Sequence, residues 1–126
     1  IQKGIDWNES ISPNLYVAGD KALIQKAINN LISNAITYSP EDSAIYMTAF
    51  SENGLVWFLL ENTGVHIPDS ELLKLFDAFY RVEHSRNKKT GGSGLGLYIV
   101  KTILEQHHAE YQIENTKKGV LFTIRF

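Results

Sequence analysis

Lys21-Ala-Leu-Ile-Gln-Lys-Ala-Ile-Asn-Asn30-Leu-Ile-Ser-Asn34-Ala-Ile-Thr-Tyr38 is the stretch on which the reading of the fold turns. Leu23, Ile24, Ala27, Ile28, Leu31, Ile32, Ala35 and Ile36 recur with helical spacing and form a broad apolar stripe. Asp20 stands where an N-cap belongs, and Ser39-Pro40-Glu41-Asp42 stops the helix. At ~100° per residue, Asn34 falls inside the apolar arc between Leu23 and Ala27. Asn30 sits at the edge of the arc, ~40° away. Two amides thus project from adjacent turns toward the interior. An unpaired buried amide costs about 1–3 kcal/mol, so both need partners. A neighbouring loop meets that need, and so does a hydrated Mg²⁺, which prefers oxygen donors.

Working outward, Ile5-Asp6-Trp7-Asn8 and Tyr16-Val17-Ala18-Gly19 are short strand candidates ahead of the helix. Behind it, Ala44 to Ser51 and Leu55 to Asn62 are β-rich and joined by Glu52-Asn53-Gly54, which is hairpin chemistry. Pro68-Asp69-Ser70-Glu71 opens a short helix ending near Phe76. A second long helix is expected from about Leu95 to His107, followed by strands at Glu110 to Asn115 and Val120 to Phe126. The expected order is ββ-α-ββ-α-loop-α-ββ. Paired strands between helices imply an α/β two-layer sandwich. Its mixed, mostly antiparallel sheet carries about three helices on one face.

From Asp77 to about Gly94 no period is sustained, and the segment reads as a long mobile loop of the functional kind. Arg81, Arg86, Lys88 and Lys89 face Glu83 alone there, and Gly91-Gly92-Ser-Gly94-Leu95-Gly96-Leu97 leads into the second long helix. Glycine-rich backbone entering a helix offers free N–H groups to an anion. The spacing is not that of a P-loop, and a loop rather than a strand precedes it, which argues against a Rossmann turn. Glu61-Asn62-Thr63-Gly64-Val65-His66-Ile67-Pro68 ends a strand in a turn, with Asn62 at the mouth of the sheet. Phe76, Phe79 and Tyr80 read as a small cluster anchoring the start of the loop.

A chain of 126 residues fits one domain. The net charge of -2 gives no electrostatic reason to expect nucleic acid or an anionic membrane. The absence of cysteine excludes disulfides, thiolate metal sites and thiol nucleophiles. No apolar run approaches the ~20 residues of a membrane span. Ile rather than Met at position 1 is expected of a piece of a longer protein.

Taken in order, these stretches resemble the GHKL ATPase superfamily, and most closely its histidine-kinase branch. Asn30 to Ser39 is similar to the N box, and Asn62 to Pro68 to the first glycine box. Phe76-Asp-Ala-Phe79-Tyr80-Arg81 is similar to the F box, and Gly91 to Leu97 to the second glycine box. The Asn-Thr-Gly form of the first glycine box resembles that of vancomycin-resistance-type sensor kinases. The resemblance implies a Bergerat fold over residues 1–126, with a lid at about 77–94. It implies ATP and Mg²⁺, with Asn34 as metal ligand and Asn30 beside the phosphates. Asn62 would meet the adenine amino group, and Gly64 and Ile67 would line the purine pocket. Tyr38, Arg81, Arg86, Lys88 and Lys89 would approach the phosphates, cradled by backbone at Gly92, Gly94, Leu95, Gly96 and Leu97. The implied partners are a helical dimerisation and phosphoacceptor domain of the same kinase and, indirectly, a response regulator. The implied setting is the cytoplasmic part of a membrane-anchored bacterial sensor, and this piece is expected to be monomeric.

Four positions depart from the family pattern. Asn62 replaces Asp, Thr37 replaces a base, His66 replaces a glycine, and Leu121 replaces Ser or Thr ahead of Phe122. Together they imply weak, micromolar to millimolar, ATP binding. His84, His107 and His108 lack the acceptor's context and read as exposed imidazoles, so the chain alone is not expected to phosphorylate itself. Two further readings remain open: a GHKL serine kinase of the anti-sigma-factor type, and a degenerate nucleotide-binding scaffold.

Overall fold

The computed structural model describes residues 4–77 and 96–126. The chain runs β1 (Asp6–Ile11), α1 (Lys21–Tyr38), β2 (Ala44–Glu52), β3 (Leu55–Thr63), α2 (Asp69–Leu72), α3 (Gly96–Gln106), β4 (Glu110–Asn115) and β5 (Gly119–Arg125). A 3₁₀ turn, Leu73–Phe76, continues α2. The five strands lie in the order β1-β2-β3-β5-β4. β1 pairs with β2 in parallel, and the other three neighbour pairs are antiparallel.

Local chemistry sets the element boundaries. Asp20 caps α1 by accepting the Leu23 N–H at 3.1 Å, a bond of the kind worth about 1 kcal/mol. Ser39 ends α1 in extended backbone, and its hydroxyl donates to Ala35 O at 2.7 Å. Asn53 and Gly54 both have positive φ, 55° and 78°, as a two-residue hairpin turn requires. At the end of α3, His108 takes the left-handed position with φ 55°, and the Ala109 N–H reaches back to Leu104 O.

One face of the sheet is covered. Ile45, Phe58, Leu60, Phe122 and Ile124 meet Ala27, Leu31 and Ala35 of α1 and Val100, Ile103 and Leu104 of α3 in a continuous core. Phe76 is buried and packs edge-on to Tyr111 and Phe122, at 5.2 and 5.7 Å between ring centroids. It fixes the end of the 3₁₀ turn to the core; Phe79 and Tyr80, the other members of the expected cluster, lie outside the described residues. On the opposite face Phe50 stacks on Trp57, and the Arg125 guanidinium lies 5.2 Å from the Trp57 ring.

Two expectations need correction. Tyr16 to Gly19 form no strand. β1 already holds the outer edge of β2, the pairing runs on to the Ser12 N–H, and Tyr16 is 83% exposed. His107 is not a free surface imidazole. Its Nδ1 donates to Ile103 O at 2.8 Å, and its Nε2 accepts the Asp20 N–H at 3.0 Å. This tautomer fastens the end of α3 to the start of α1. His108 is exposed, as expected, and His84 lies outside the described residues.

Candidate nucleotide-binding site

The C-terminal half of α1 presents Asn30 and Asn34, both half-buried. Neither side chain has a hydrogen-bond partner among the described residues. A methyl group placed on Gly96 would lie 3.7 Å from Asn34 Oδ1, so the first residue of α3 abuts this amide. The N-terminal end of an 11-residue helix, with its dipole, therefore lies beside the Asn34 amide, one turn from Asn30. That is a place for an anion and for a cation held through oxygen. Tyr38 lies one turn beyond Asn34 and is half-buried. The side chain of Leu97 is buried in the core, which leaves its backbone alone to face a ligand.

The second part of the site lies at the end of the sheet. Strand register places Ile45, Asn62, Val120 and Asn115 in one row across β2, β3, β5 and β4. Asn62 shares its face with buried Phe58 and Leu60, so its amide points to the helix side. Beyond Asn62 the chain leaves β3 and crosses to α2. Gly64, with φ 79°, starts the crossing, and its N–H donates to Lys118 O at 2.9 Å. A Cβ there would sit 3.1 Å from Pro40 Cγ, so the loop also abuts the exit of α1. Ile67 turns inward against the core.

The departures from the family pattern take physical form here. His66 Nε2 bonds Thr116 O at 2.9 Å, so this side chain ties its loop to the β4–β5 turn. Leu121 pairs with Glu61 and lies on the face opposite Asn62. The neighbour of Asn62 on the helix face is Val120, which is apolar as well.

Arg81, Arg86, Lys88, Lys89, Gly92, Gly94 and Leu95, with Phe79, Tyr80 and the lid after Asp77, lie outside the described residues. The residues brought together are Asn30, Asn34 and Gly96 around α1, and Asn62, Gly64 and Ile67 at the sheet end. No cluster of carboxylates or histidines suited to a metal occurs among the described residues. The amide oxygen of Asn34, which has no partner among the described residues, is nevertheless a ligand that suits Mg²⁺, which takes few protein ligands when phosphates supply the rest. A hollow of about 510 Å³ beside Trp57, Gln112, Thr123 and Arg125 opens on the other side of the sheet and is no part of this site.

Sequence reasoning missed Asn115 and Thr116, which read as the end of a strand. The signal was present: in Tyr111, Ile113, Asn115 the alternation puts an amide at an inward phase, as in α1.

A mixed sheet with helices on one face and polar loops at one end is the fold of a histidine-kinase catalytic domain. That domain of the histidine kinase ThkA superposes with a TM-score of 0.85 at 29% identity, covering 99% of this chain and 80% of that one. ThkA in complex with the response regulator TrrA gives 0.80 at 27% identity, covering 99% and 34%. The chain belongs to the histidine kinase-, DNA gyrase B-, and HSP90-like ATPase family, whose model matches residues 19–126. It is 44% identical to the probable sensor kinase SilS of Salmonella typhimurium over 86% of this chain and 22% of SilS. It is equally similar, 44%, to the sensor protein VanSB of Enterococcus faecalis over 84% and 24%. The resemblance to vancomycin-resistance sensors is thus shared with SilS. The chain spans about a quarter of the length of these relatives. No helix among the described residues is long and apolar enough to cross a membrane.

Proposed function

We propose that residues 1–126 are the ATP-binding catalytic domain of a two-component sensor histidine kinase, with a lid at about 77–94. The observation that carries this reading is Asn34 Oδ1 set against the start of α3. Asn34 would hold Mg²⁺, which would supply charge neutralisation to the phosphates. Asn30, Tyr38, Arg81, Arg86, Lys88 and Lys89 would bind and orient the phosphates, helped by backbone at Gly92, Gly94, Leu95, Gly96 and Leu97. Asn62, Gly64 and Ile67 would hold the base. The chain's contribution is positioning and charge stabilisation. The phosphoryl group leaves the oxygen of ADP and bonds to an imidazole nitrogen of a histidine on a separate helical domain of the same kinase. A response regulator would then receive it, as ThkA's complex with TrrA suggests by analogy. The domain would sit in the cytoplasm, below a membrane anchor elsewhere in the protein, and would be monomeric in isolation.

The test mixes this chain with γ-labelled ATP, Mg²⁺ and the kinase's helical acceptor domain. Acid-labile label on that domain, and none on this chain alone, is the expected result. Acid-stable label on serine would favour the serine-kinase reading, and ATP binding without any transfer the scaffold reading.

A further inference from the structure

The loop from Gly64 to Pro68 has no strand to pair with. It crosses the end of the sheet from β3 to α2 and must satisfy its own backbone. One side chain does most of this. Asn115 Oδ1 accepts the Ile67 N–H at 3.0 Å, and Asn115 Nδ2 donates to Ile67 O at 2.6 Å. The same nitrogen reaches Asp69 Oδ1 at 3.0 Å. The carboxamide acts as a one-residue strand, pairing with Ile67 on both its donor and its acceptor. Around it the β4–β5 turn adds the Gly64–Lys118 and His66–Thr116 bonds. The turn is itself closed by Thr116, whose N–H donates to Gly119 O and whose hydroxyl donates to Glu61.

We infer that Asn115 is a positioning residue for the purine end of the site. By fixing Ile67 to Asn115, in the row that also holds Asn62 and Val120, it would set the width of the slot that receives the base. It touches neither phosphates nor metal. The inference rests on the nucleotide-binding reading above and assigns Asn115 a role within it. A residue that merely supported the fold would affect every ligand alike, whereas Asn115 acts on the base alone.

The chain and its variants are titrated calorimetrically with ATP and, separately, with inorganic tripolyphosphate, and amide exchange is followed at Ile67. Asn115→Ala is expected to raise the Kd for ATP roughly tenfold, the worth of one to two lost hydrogen bonds. The Kd for tripolyphosphate should stay within about twofold. Exchange at Ile67 should accelerate while the β3 amides keep their protection. Asn115→Asp keeps the acceptor but sets two carboxylates together, so it should bind ATP worse than Asp69→Asn. The double variant Asn115→Asp, Asp69→Asn should recover part of the loss. Unchanged ATP affinity in Asn115→Ala, or equal losses for both ligands, would overturn the inference. Failure of the unmodified chain to bind ATP would instead overturn the nucleotide reading, and the exchange data would still report whether Asn115 clamps the loop.

Discussion

Asn62 shows how one atom's identity can set the strength of a site. A carboxylate there would accept from an amino group with charge assistance, worth about 1.5–3 kcal/mol, where a neutral amide gives about 0.5–1.5. Val120 beside it offers no hydroxyl, so nothing across the row compensates. Tyr111 is the residue whose chemistry the fold alters most visibly. Burial first, then the hydrogen bond to Glu105 and that group's charge, push its phenol from 10.0 up to about 12. In the unfolded chain the proton is lost near 10, while the folded chain keeps it to about 12. The stability tied to this group is therefore whole below pH 10 and drains away as pH rises from about 10 to about 12. Urea midpoints measured across that window should fall more steeply for the natural chain than for Tyr111→Phe. Parallel slopes would show that the shift is absent.

At the scale of elements, the β3–β5 pairing at Gly119 couples the fold to the site. A Cβ on Gly119 would overlap the Asn62 carbonyl oxygen and lie 2.8 Å from Thr63 Cα, so it meets the backbone of β3. Gly119→Ala should cost at least about 1–3 kcal/mol in chemical denaturation and weaken ATP binding in the surviving folded protein. A midpoint within error of the natural one would show that the strands separate easily there. Most elements were legible in the sequence, because periodicity and turn chemistry agreed: α1 with Asp20 and Ser39, and the β2–β3 hairpin with Asn53 and Gly54. Tyr16 to Gly19 misled because four residues carry little information about whether an edge is free. The amides of α1 were legible as polar residues on an apolar arc. The alternation of β4 marks Asn115 as an inward amide, but its partner is the backbone of a loop 48 positions away, which local pattern does not identify. The face on which Leu121 lies became clear only from the β3–β5 register.

For the molecule as a whole, α1 and α3 form a clamp with its two ends in different hands. At one end His107 fastens the end of α3 to the start of α1 through Asp20. At the other Asn34 meets Gly96, the first residue of α3. In the proposed function the sheet would contribute the base slot through Asn62 and the strapped loop, which abuts the exit of α1 at Pro40. By the same proposal a nucleotide's metal would be held by Asn34. Calorimetric titration of ATP into the chain and into Asn34→Ala, each with and without Mg²⁺, tests this most directly. The natural chain should bind ATP in the micromolar to millimolar range and gain on the order of tenfold or more from Mg²⁺, and Asn34→Ala should lose that gain while staying folded. A natural chain indifferent to Mg²⁺, or an Asn34→Ala variant that keeps the full gain, would contradict the account.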